Sequence, residues 1–400
     1  MTTIAASPVR CAVVIAPFAP DHPAEHLGAS QKITVVISLL RRLGYAVNLV
    51  DSSHTERQFG APIHAFDTVV GAQPIVLWRP PRVPNRPIGK LLNWAVPGAM
   101  IKQLSQLQPS LIWLYNPYAY EGRVGLSLQR STGARLLLEL EDLPLARGRG
   151  ISPKPRLDHW YFGRLLKHAD HVTYVNSHVQ RQHPPQHGTS LLFPSILDEA
   201  LCRCVPATRF AGATNRLGYF GGLELEKGCG TLLELLPRLP AGWRLVVTGA
   251  GTLESAFREA ERLHPERLEF HGRVDRKKLL QLMLGSDAII NPHMPIAAMD
   301  DGVFPFKVCE ALATGALLIS TRLPPIELPL ERTVLEYDGT VNGLLVAVSV
   351  ASGHYRAAAA EIDALRQRLL SLYSEDALLG RLDDFLSLPV NAAGAESAGH

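Results

Sequence analysis

Short apolar runs alternate along the chain with segments in which apolar residues recur every three or four positions. The run at residues 11–16 is followed by an amphipathic pattern over 33–43, which Gly44 closes, and residues 46–50 are apolar again. Buried parallel strands read as continuous apolar runs, whereas helices show a period of 3.6 residues, so this segment predicts a βαβ unit. The same alternation along most of the chain predicts an α/β protein with parallel sheets.

The alternation lapses once, over residues 198–213, where small, polar and Cys residues mix. A glycine-rich strand, turn and helix begin again at Leu217. We therefore expect two Rossmann-like domains, at 1–197 and 214–350, joined by a hinge at 198–213. Amphipathic helices follow at 351–390, and the small polar residues 391–400 predict a disordered tail.

Composition limits the classes of function. With 400 residues, of which 46% are hydrophobic and 19% charged, each half of the chain can bury a core of its own. The balance of 40 basic against 37 acidic residues argues against a general nucleic-acid binder, which needs a clustered basic face.

The cysteines and the apolar runs indicate where the protein works. Five scattered cysteines, an odd number, fit a reducing compartment. The N-terminus lacks a cationic start followed by a long apolar run, and no stretch approaches the roughly 20 apolar residues that span a bilayer. We expect a cytoplasmic protein that is at most peripheral at the inner face of the membrane.

The segment 303–320 carries the strongest signal for a site. It contains a loop, the pattern Pro305-x-Lys307-x-x-Glu310, an apolar helix, Gly315 and a buried strand. A loop of this kind brings backbone amides and one carboxylate to the carboxyl-end rim of a parallel sheet, where nucleotides bind.

Three further landmarks precede it in order. They are a strand, glycine turn and Lys-Gly at 218–228, a strand and glycine turn at 245–251, and a strand at 268–274. The four together resemble the donor-site segments of retaining glycosyltransferases of family 4, also called glycosyl transferases group 1. The resemblance implies the GT-B architecture, with a cleft between the domains and a C-terminal helix that crosses back to the first domain. It also implies that 1–197 binds the acceptor and 214–350 the nucleotide sugar.

The resemblance implies roles for individual donor-site residues. In the family the Lys after the glycine turn, here Lys227, contacts the donor diphosphate, and the helix Glu, here Glu310, holds the ribose. Residues carried over or adjacent to these landmarks make up the predicted donor site: Gly221, Gly222, Lys227, Gly249, Arg273, Val274, Phe304, Pro305, Phe306, Lys307 and Glu310.

The first domain has a candidate site at the end of the strand 135–140. Glu141 and Asp142 follow this strand, at a place where the family often has His-Asp. Either carboxylate can orient the acceptor or sugar, or assist proton removal, and both join Lys227 as predicted catalytic residues. The alternative is structural, with one acid capping the loop and the other bonding an Arg. Gly28, His26, His293 and Asp301 are the predicted acceptor or sugar contacts.

Two positions depart from the family pattern. Gly222 stands where an Arg is common, and Gly302 stands where the family has its first Glu. Lys307 and Asp301 are close enough in sequence to substitute for the missing charges. These departures leave open a catalytically silent GT-B subunit or glycan-binding partner, and a GT-B nucleotide-sugar epimerase is a further alternative.

The resemblance implies a retaining hexosyltransferase that uses a nucleoside diphosphate sugar as co-substrate. The acceptor would be a glycan or lipid-linked saccharide, in surface polysaccharide biosynthesis. The resemblance implies no metal and no tightly bound cofactor, and the adjacent Asp300 and Asp301 do not form Asp-x-Asp. The basic, Trp-containing region 78–94 suggests peripheral contact with anionic lipid, with a plain surface loop as the alternative. Donor base, sugar, linkage and oligomeric state stay open.

Overall fold

The computed structural model describes residues 10–18, 27–53, 63–80, 97–141, 143–144, 153–193, 197, 199–204, 208–293, 306–323 and 328–389. The chain forms two compact units, one made of Met1–Ile196 with Leu378–His400 and the other of Leu197–Ala377. Each unit is built around one sheet.

The sheet of the first unit has eight strands. They are β1 (Arg10–Ala16), β2 (Tyr45–Asp51), β3 (His64–Val70), β4 (Gln73–Arg79), β5 (Leu111–Tyr115), β6 (Arg135–Leu140), β7 (His171–Tyr174) and β8 (Thr189–Leu192). Their order is β3-β4-β2-β1-β5-β6-β7-β8, and all pairs are parallel except β3 with β4. The central strands are buried on both faces, which explains why their sequences are continuous apolar runs.

The edge strand β3 escaped prediction from the sequence. It forms an antiparallel hairpin with β4 through Gly71 and Ala72, both of which have positive φ. Five of its seven residues are exposed, so it lacks the apolar run that marks the central strands. The neighbouring Trp78, predicted as part of a lipid-contacting region, is instead buried in β4 and donates to Asn48 Oδ1 at 2.9 Å. Residues 81–94 of that region lie outside the described residues.

Five described helices follow strands of the first unit: α1 (Leu27–Arg42), α2 (Pro97–Gln106), α3 (Ala119–Thr132), α4 (Pro153–His168) and α5 (Ser177–Gln182).

The sheet of the second unit has six strands. They are β9 (Asn215–Phe220), β10 (Trp243–Thr248), β11 (Leu268–Phe270), β12 (Ala288–Asn291), β13 (Leu317–Ser320) and β14 (Val334–Glu336). All are parallel, in the order β11-β10-β9-β12-β13-β14. The strand order reverses between β9 and β12, and ligands of open α/β sheets bind at the carboxyl ends of the strands beside such a reversal.

The helices of the second unit pack around this sheet. They are α6 (Glu199–Arg203), α7 (Cys229–Leu235), α8 (Glu254–Leu263), α9 (Arg276–Leu284), α10 (Phe306–Ala313) and α11 (Val341–Tyr373). A last helix, α12 (Glu375–Ser387), belongs to the first unit from Leu378 onward, where Phe385 packs on the ring of His171 at 4.9 Å. Within the described ranges, no helix combines the length and apolarity needed to cross a bilayer.

The C-terminal helices begin earlier than the sequence pattern indicated. Helix α11 starts at Val341, because the Thr340 side chain caps it by accepting from the Gly343 amide at 3.0 Å. The segment 351–390 is therefore divided, since its first part continues a helix of the second unit.

The described part of the predicted hinge belongs to the second unit. Its residue Arg209 is buried and donates to the carbonyls of Leu284, Ser286 and Thr314. The carbonyl of Cys204 accepts from Arg366 of α11 at 2.9 Å. A hinge motion at this place stays a prediction.

Two glycines with positive φ give a matched test of the backbone of the first unit. A Cβ at Gly188 would lie 2.1 Å from the Asp170 carbonyl oxygen, whereas a Cβ at Gly133 would meet no atom within 4 Å. Gly133→Ala should therefore cost only the left-handed strain, about 1 kcal/mol. Gly188→Ala should cost about 1–3 kcal/mol more, because the backbone has to shift. Urea unfolding of the two variants measures the difference, and equal losses would contradict the close approach.

Candidate active site

The carboxyl ends of β9, β10 and β12 carry loops that touch through glycines. A Cβ at Gly249, where φ is +140°, would lie 1.8 Å from the carbonyl oxygen of Gly221. A Cβ at Gly228, where φ is +76°, would lie 2.0 Å from the carbonyl oxygen of Pro292. Only residues without a Cβ allow these contacts, so the glycines hold three loops together beside the reversal of strand order.

The side chain of Tyr219 stabilises the turn that follows β9. Its hydroxyl donates to the Gly222 carbonyl at 2.7 Å, and the Cys229 thiol donates to the Tyr219 hydroxyl at 3.2 Å. Burial raises the pKa of both groups, so both keep their protons at neutral pH. This hydrogen-bonded chain fixes the Gly221-Gly222 turn from inside the unit.

Lys307 reaches the same turn from the first turn of α10. Its Nζ lies 4.6 Å from the centre of the Tyr219 ring, and a Cβ at Gly221 would be 3.5 Å from it. The pKa of Lys307 is lowered to about 8, chiefly by burial and also by the charge of Lys227, while Cys229 opposes the shift. Lys307, which we expected to substitute for the Arg that is common at position 222, therefore lies at this turn.

Lys227 lies on the other side of the turn. It ends the short 3₁₀ helix Leu225–Lys227, and a Cβ at Gly222 would be 2.7 Å from its Nζ. The Lys227 ammonium, at the flexible end of its side chain, thus lies against the turn at Gly222. Neither Lys227 nor Lys307 forms an ion pair with a residue in the described part of the chain. Two ammonium groups, without a carboxylate partner among the described residues, therefore lie close to two adjacent glycines.

Glu310 lies in α10, three residues after Lys307, and is paired. Arg276 at the start of α9 donates to its Oε1 at 2.8 Å, and 16% of the Glu310 side chain is accessible to solvent. Glu310 therefore forms an ion pair with a residue of its own unit. This pairing orients the carboxylate at the rim.

The other predicted donor and sugar residues have varied positions. Arg273 is exposed and Val274 half-buried in the loop after β11, and the His293 carbonyl accepts from the Thr321 hydroxyl at 2.6 Å. Phe306 begins α10, but its side chain is not described. Phe304, Pro305 and Asp301 lie outside the described residues. Within the part that is described, no three His, Cys, Asp or Glu side chains group to hold a metal ion.

In the first unit, Glu141 lies at the carboxyl end of β6 in a buried network. Glu139 and Glu141 point to one face of the strand, as residues two apart do. Lys32 of α1 pairs with both, with Nζ 2.7 Å from Glu139 Oε1, and also donates to the Phe193 carbonyl at 2.9 Å. The hydroxyl of Tyr115 donates to Glu141 Oε2 at 2.9 Å.

Both carboxylate oxygens of Glu141 are thus engaged inside the unit. The predicted structural role, a bond to an Arg, is close to the arrangement found, but the cation is Lys32. Asp142, the other predicted catalytic acid of this domain, lies outside the described residues, as does His26. Gly28 lies in the first turn of α1.

Sequence reasoning missed three residues that shape these sites: Lys32, Tyr219 and Arg276. Lys32 had a visible signal, because it shares the buried helical face of Val36 and Leu39 at spacings of four and seven residues. Arg276 follows Asp275, whose side chain caps α9. Its pairing with Glu310 joins residues from two separate helices, and a one-dimensional pattern does not contain it.

Two family models match the chain. A glycosyl transferase 4-like domain matches residues 28–188, and the model for glycosyl transferases group 1 matches residues 214–367. The first match lies in the first unit and the second in the second unit. Together they cover most of the chain.

Solved structures and curated relatives agree with these matches. Sucrose-phosphate synthase from Thermosynechococcus elongatus has a TM-score of 0.66 at 18% identity, over 94% of this chain and 98% of that one. HepE from Anabaena in complex with UDP has a TM-score of 0.68 at 14% identity, over 94% and 99%. These likenesses confirm the predicted GT-B architecture. Glycogen synthase from Thermus thermophilus is 37% identical over 79 residues, and the match spans only 18% of its length and 19% of this chain.

The Lys32 network generates a stability prediction. Lys32→Ala would leave Glu139 and Glu141 buried without their cation, and loss of one partner of a buried ion pair costs about 3–5 kcal/mol. The exposed Lys102→Ala is the control and should change stability by less than about 0.5 kcal/mol. Chemical unfolding measures both, and a Lys32→Ala protein as stable as Lys102→Ala would contradict the network.

Proposed function

Because the chain belongs to the glycosyl transferases group 1, we propose that it is a retaining hexosyltransferase that takes its sugar from a nucleoside diphosphate donor. The observation that carries this proposal is the pair of ammonium groups, Lys227 and Lys307, beside the Gly221-Gly222 turn. The turn lies where the strand order of the sheet reverses, which is the usual position for a bound nucleotide.

The two lysines match the charge that develops in the reaction. Cleavage of the sugar–diphosphate bond leaves negative charge on the departing diphosphate, and preorganised cations stabilise it as it forms. Lys227 and Lys307 supply two positive charges from different elements, a 3₁₀ helix and α10. We assign Lys307 the contact that Arg makes at position 222 elsewhere in the family.

Glu310 fits the ribose contact of the donor. Arg276 bonds its Oε1 and holds the carboxylate at the rim, and in this orientation Oε2 accepts from a ribose hydroxyl. Arg273 and Val274 follow β11 and would border the base.

The acceptor is proposed to bind to the first unit, as a glycan or lipid-linked saccharide in surface polysaccharide biosynthesis at the cytoplasmic side. Because Lys32 and Tyr115 engage both oxygens of Glu141, we assign Glu141 a positioning role and Asp142 the contact with the acceptor hydroxyl. No metal is needed in this scheme, since the lysines replace it as counter-charge.

Uracil is the base to test first. HepE was solved with UDP and with UDP-glucose, and a trehalose-phosphate synthase from Burkholderia xenovorans, with a TM-score of 0.69 and 12% identity, is described as UDP-forming. Its alignment covers 94% of this chain and 100% of the other. Identities this low support the fold, so the base and the sugar are proposals.

A ligand panel tests the proposal as a whole. UDP, GDP, ADP and dTDP are added to the purified protein, since a ligand that binds only the folded state raises the melting temperature. One dominant responder supports a transferase and names its base. No response at millimolar concentration would contradict the proposal and favour a catalytically silent GT-B subunit.

The donor contacts should be separable by mutation. Lys227→Ala and Glu310→Ala each remove a charged hydrogen bond and should weaken nucleotide binding by about 1–3 kcal/mol. Lys277→Ala and Glu234→Ala remove exposed charges of the same unit and should leave binding unchanged. Calorimetric titration with the responding nucleotide gives the affinities. Unchanged affinity in both donor-site variants would remove the site assignment.

Binding should also depend on pH through Lys307. Its pKa is lowered to about 8, so the ammonium is present below that pH and is lost as the pH rises through it. Between pH 7 and pH 8.5 the charged fraction falls about fourfold, and the affinity for UDP should fall by a similar factor. Lys307→Met should bind more weakly at pH 7 and show no such decline. Lys227→Met should bind UDP weakly but keep the fall in affinity with rising pH. A fall in Lys307→Met identical to that of the wild type would contradict the assignment.

A further inference from the structure

One surface of the first unit combines cations with an exposed tryptophan. Arg156, Trp160, Arg164 and Lys167 of α4 are spaced by four, four and three residues, so they follow one side of the helix. Arg156 and Lys167 are exposed, Arg164 is half-buried, and half of the Trp160 surface is accessible. We call these four residues the basic face. At 1.5 Å per residue it is about 16 Å long.

Among the described residues, no carboxylate neutralises the cations of the basic face. Arg156, Arg164 and Lys167 form no ion pair with any residue in the described part of the chain. The one acid on this helix, Asp158, is buried, where it accepts from the Ala119 amide at 2.9 Å and from Lys154 at 2.7 Å. The exposed Arg156 and Lys167 and the half-buried Arg164 thus carry positive charge that no carboxylate in the described ranges balances.

The histidine next to Lys167 is affected by the same charges. Burial lowers the pKa of His168, and the nearby cations Arg164, Lys167 and Arg130 lower it further. Arg164 and Lys167 lie on α4, and Arg130 lies on α3. The basic region therefore extends beyond one helix.

Trp160 adds an apolar element at the middle of the basic face. Its ring packs edge-on against Tyr161 at 4.8 Å, and the Arg164 guanidinium lies 4.8 Å over it. Most large aromatic side chains of this unit, such as Trp113 and Phe162, are buried. A half-exposed tryptophan flanked by unpaired cations is typical of a surface that lies at a lipid headgroup boundary.

We propose that the basic face of α4 docks the protein on an anionic lipid membrane, with the three cations at the headgroups and Trp160 inserted between them. A soluble polyanion would satisfy the cations but would leave the tryptophan without a role. A lipid surface satisfies both, and the flat course of the face along one helix suits a planar partner. The inference rests on the first unit alone and does not depend on the donor site.

Vesicle co-sedimentation tests the proposal with the full chain. The protein is mixed with vesicles of phosphatidylcholine alone, or with vesicles in which phosphatidylglycerol makes up about a third of the lipid. Three proteins are compared with the wild type: Trp160→Ala, a triple variant with Arg156, Arg164 and Lys167 changed to Ala, and a control triple variant with Lys278, Arg356 and Arg368 changed to Ala. The control removes the same charge from exposed positions of the second unit.

The wild type should bind the anionic vesicles, and salt should weaken that binding. The basic-face triple variant should lose on the order of 100-fold in affinity, since each cation near an anionic surface contributes about fivefold. Trp160→Ala should lose several-fold, and the control triple variant less than about threefold. Unchanged melting temperatures and nucleotide responses would show that the variants are folded and that the donor site is separate.

Three results would overturn the proposal. One is no binding of the wild type to anionic vesicles at low salt. Another is an equal loss in the two triple variants, which would reflect net charge alone. The third is wild-type vesicle binding by Trp160→Ala together with heparin binding that depends on the three cations, which would identify a soluble polyanion as the partner.

Discussion

The placement of two ammonium groups at one glycine turn, with Lys307 largely removed from water, is the constraint on which the proposed donor site depends. Lys227 and Lys307 approach adjacent glycines, and burial together with the charge of Lys227 lowers the pKa of Lys307 to about 8. Holding like charges in a half-buried place is unfavourable in the free protein. A bound dianion would remove that cost, so the arrangement favours a diphosphate over a neutral ligand.

The loops can maintain this arrangement because their glycines lack side chains. Gly249 lies against the backbone of Gly221, and Gly228 against that of Pro292, so the turn has little room to move. From the inside, Tyr219 fixes the Gly222 carbonyl and lies under Lys307. At position 222 the atoms nearest to a Cβ would be those at the flexible end of the Lys227 side chain, not backbone atoms, so the ammonium lies against the turn without requiring glycine there. In the first unit the charges are arranged the other way, because two buried carboxylates share the single ammonium group of Lys32.

The parts of the fold that the sequence predicted are those with a one-dimensional signature. Central strands such as β1 and β13 are buried on both faces and appear as apolar runs, and the glycine turns follow them directly. The edge strand β3 is largely exposed and carries no such run. Within the sites, Lys227, Lys307 and Glu310 stood next to recognisable turns. The partners of these site residues come from separate elements and become neighbours only in the folded chain. They are Tyr219, Arg276 and, for Glu141, the cation Lys32.

A crystal structure of the complex with UDP would show whether the two lysines hold the diphosphate. We expect diphosphate oxygens within hydrogen-bonding distance of the Nζ atoms of Lys227 and Lys307, above the Gly221-Gly222 turn, and a ribose hydroxyl that donates to Glu310. A diphosphate that contacts neither lysine, or UDP bound away from the carboxyl ends of β9 and β12, would contradict this expectation.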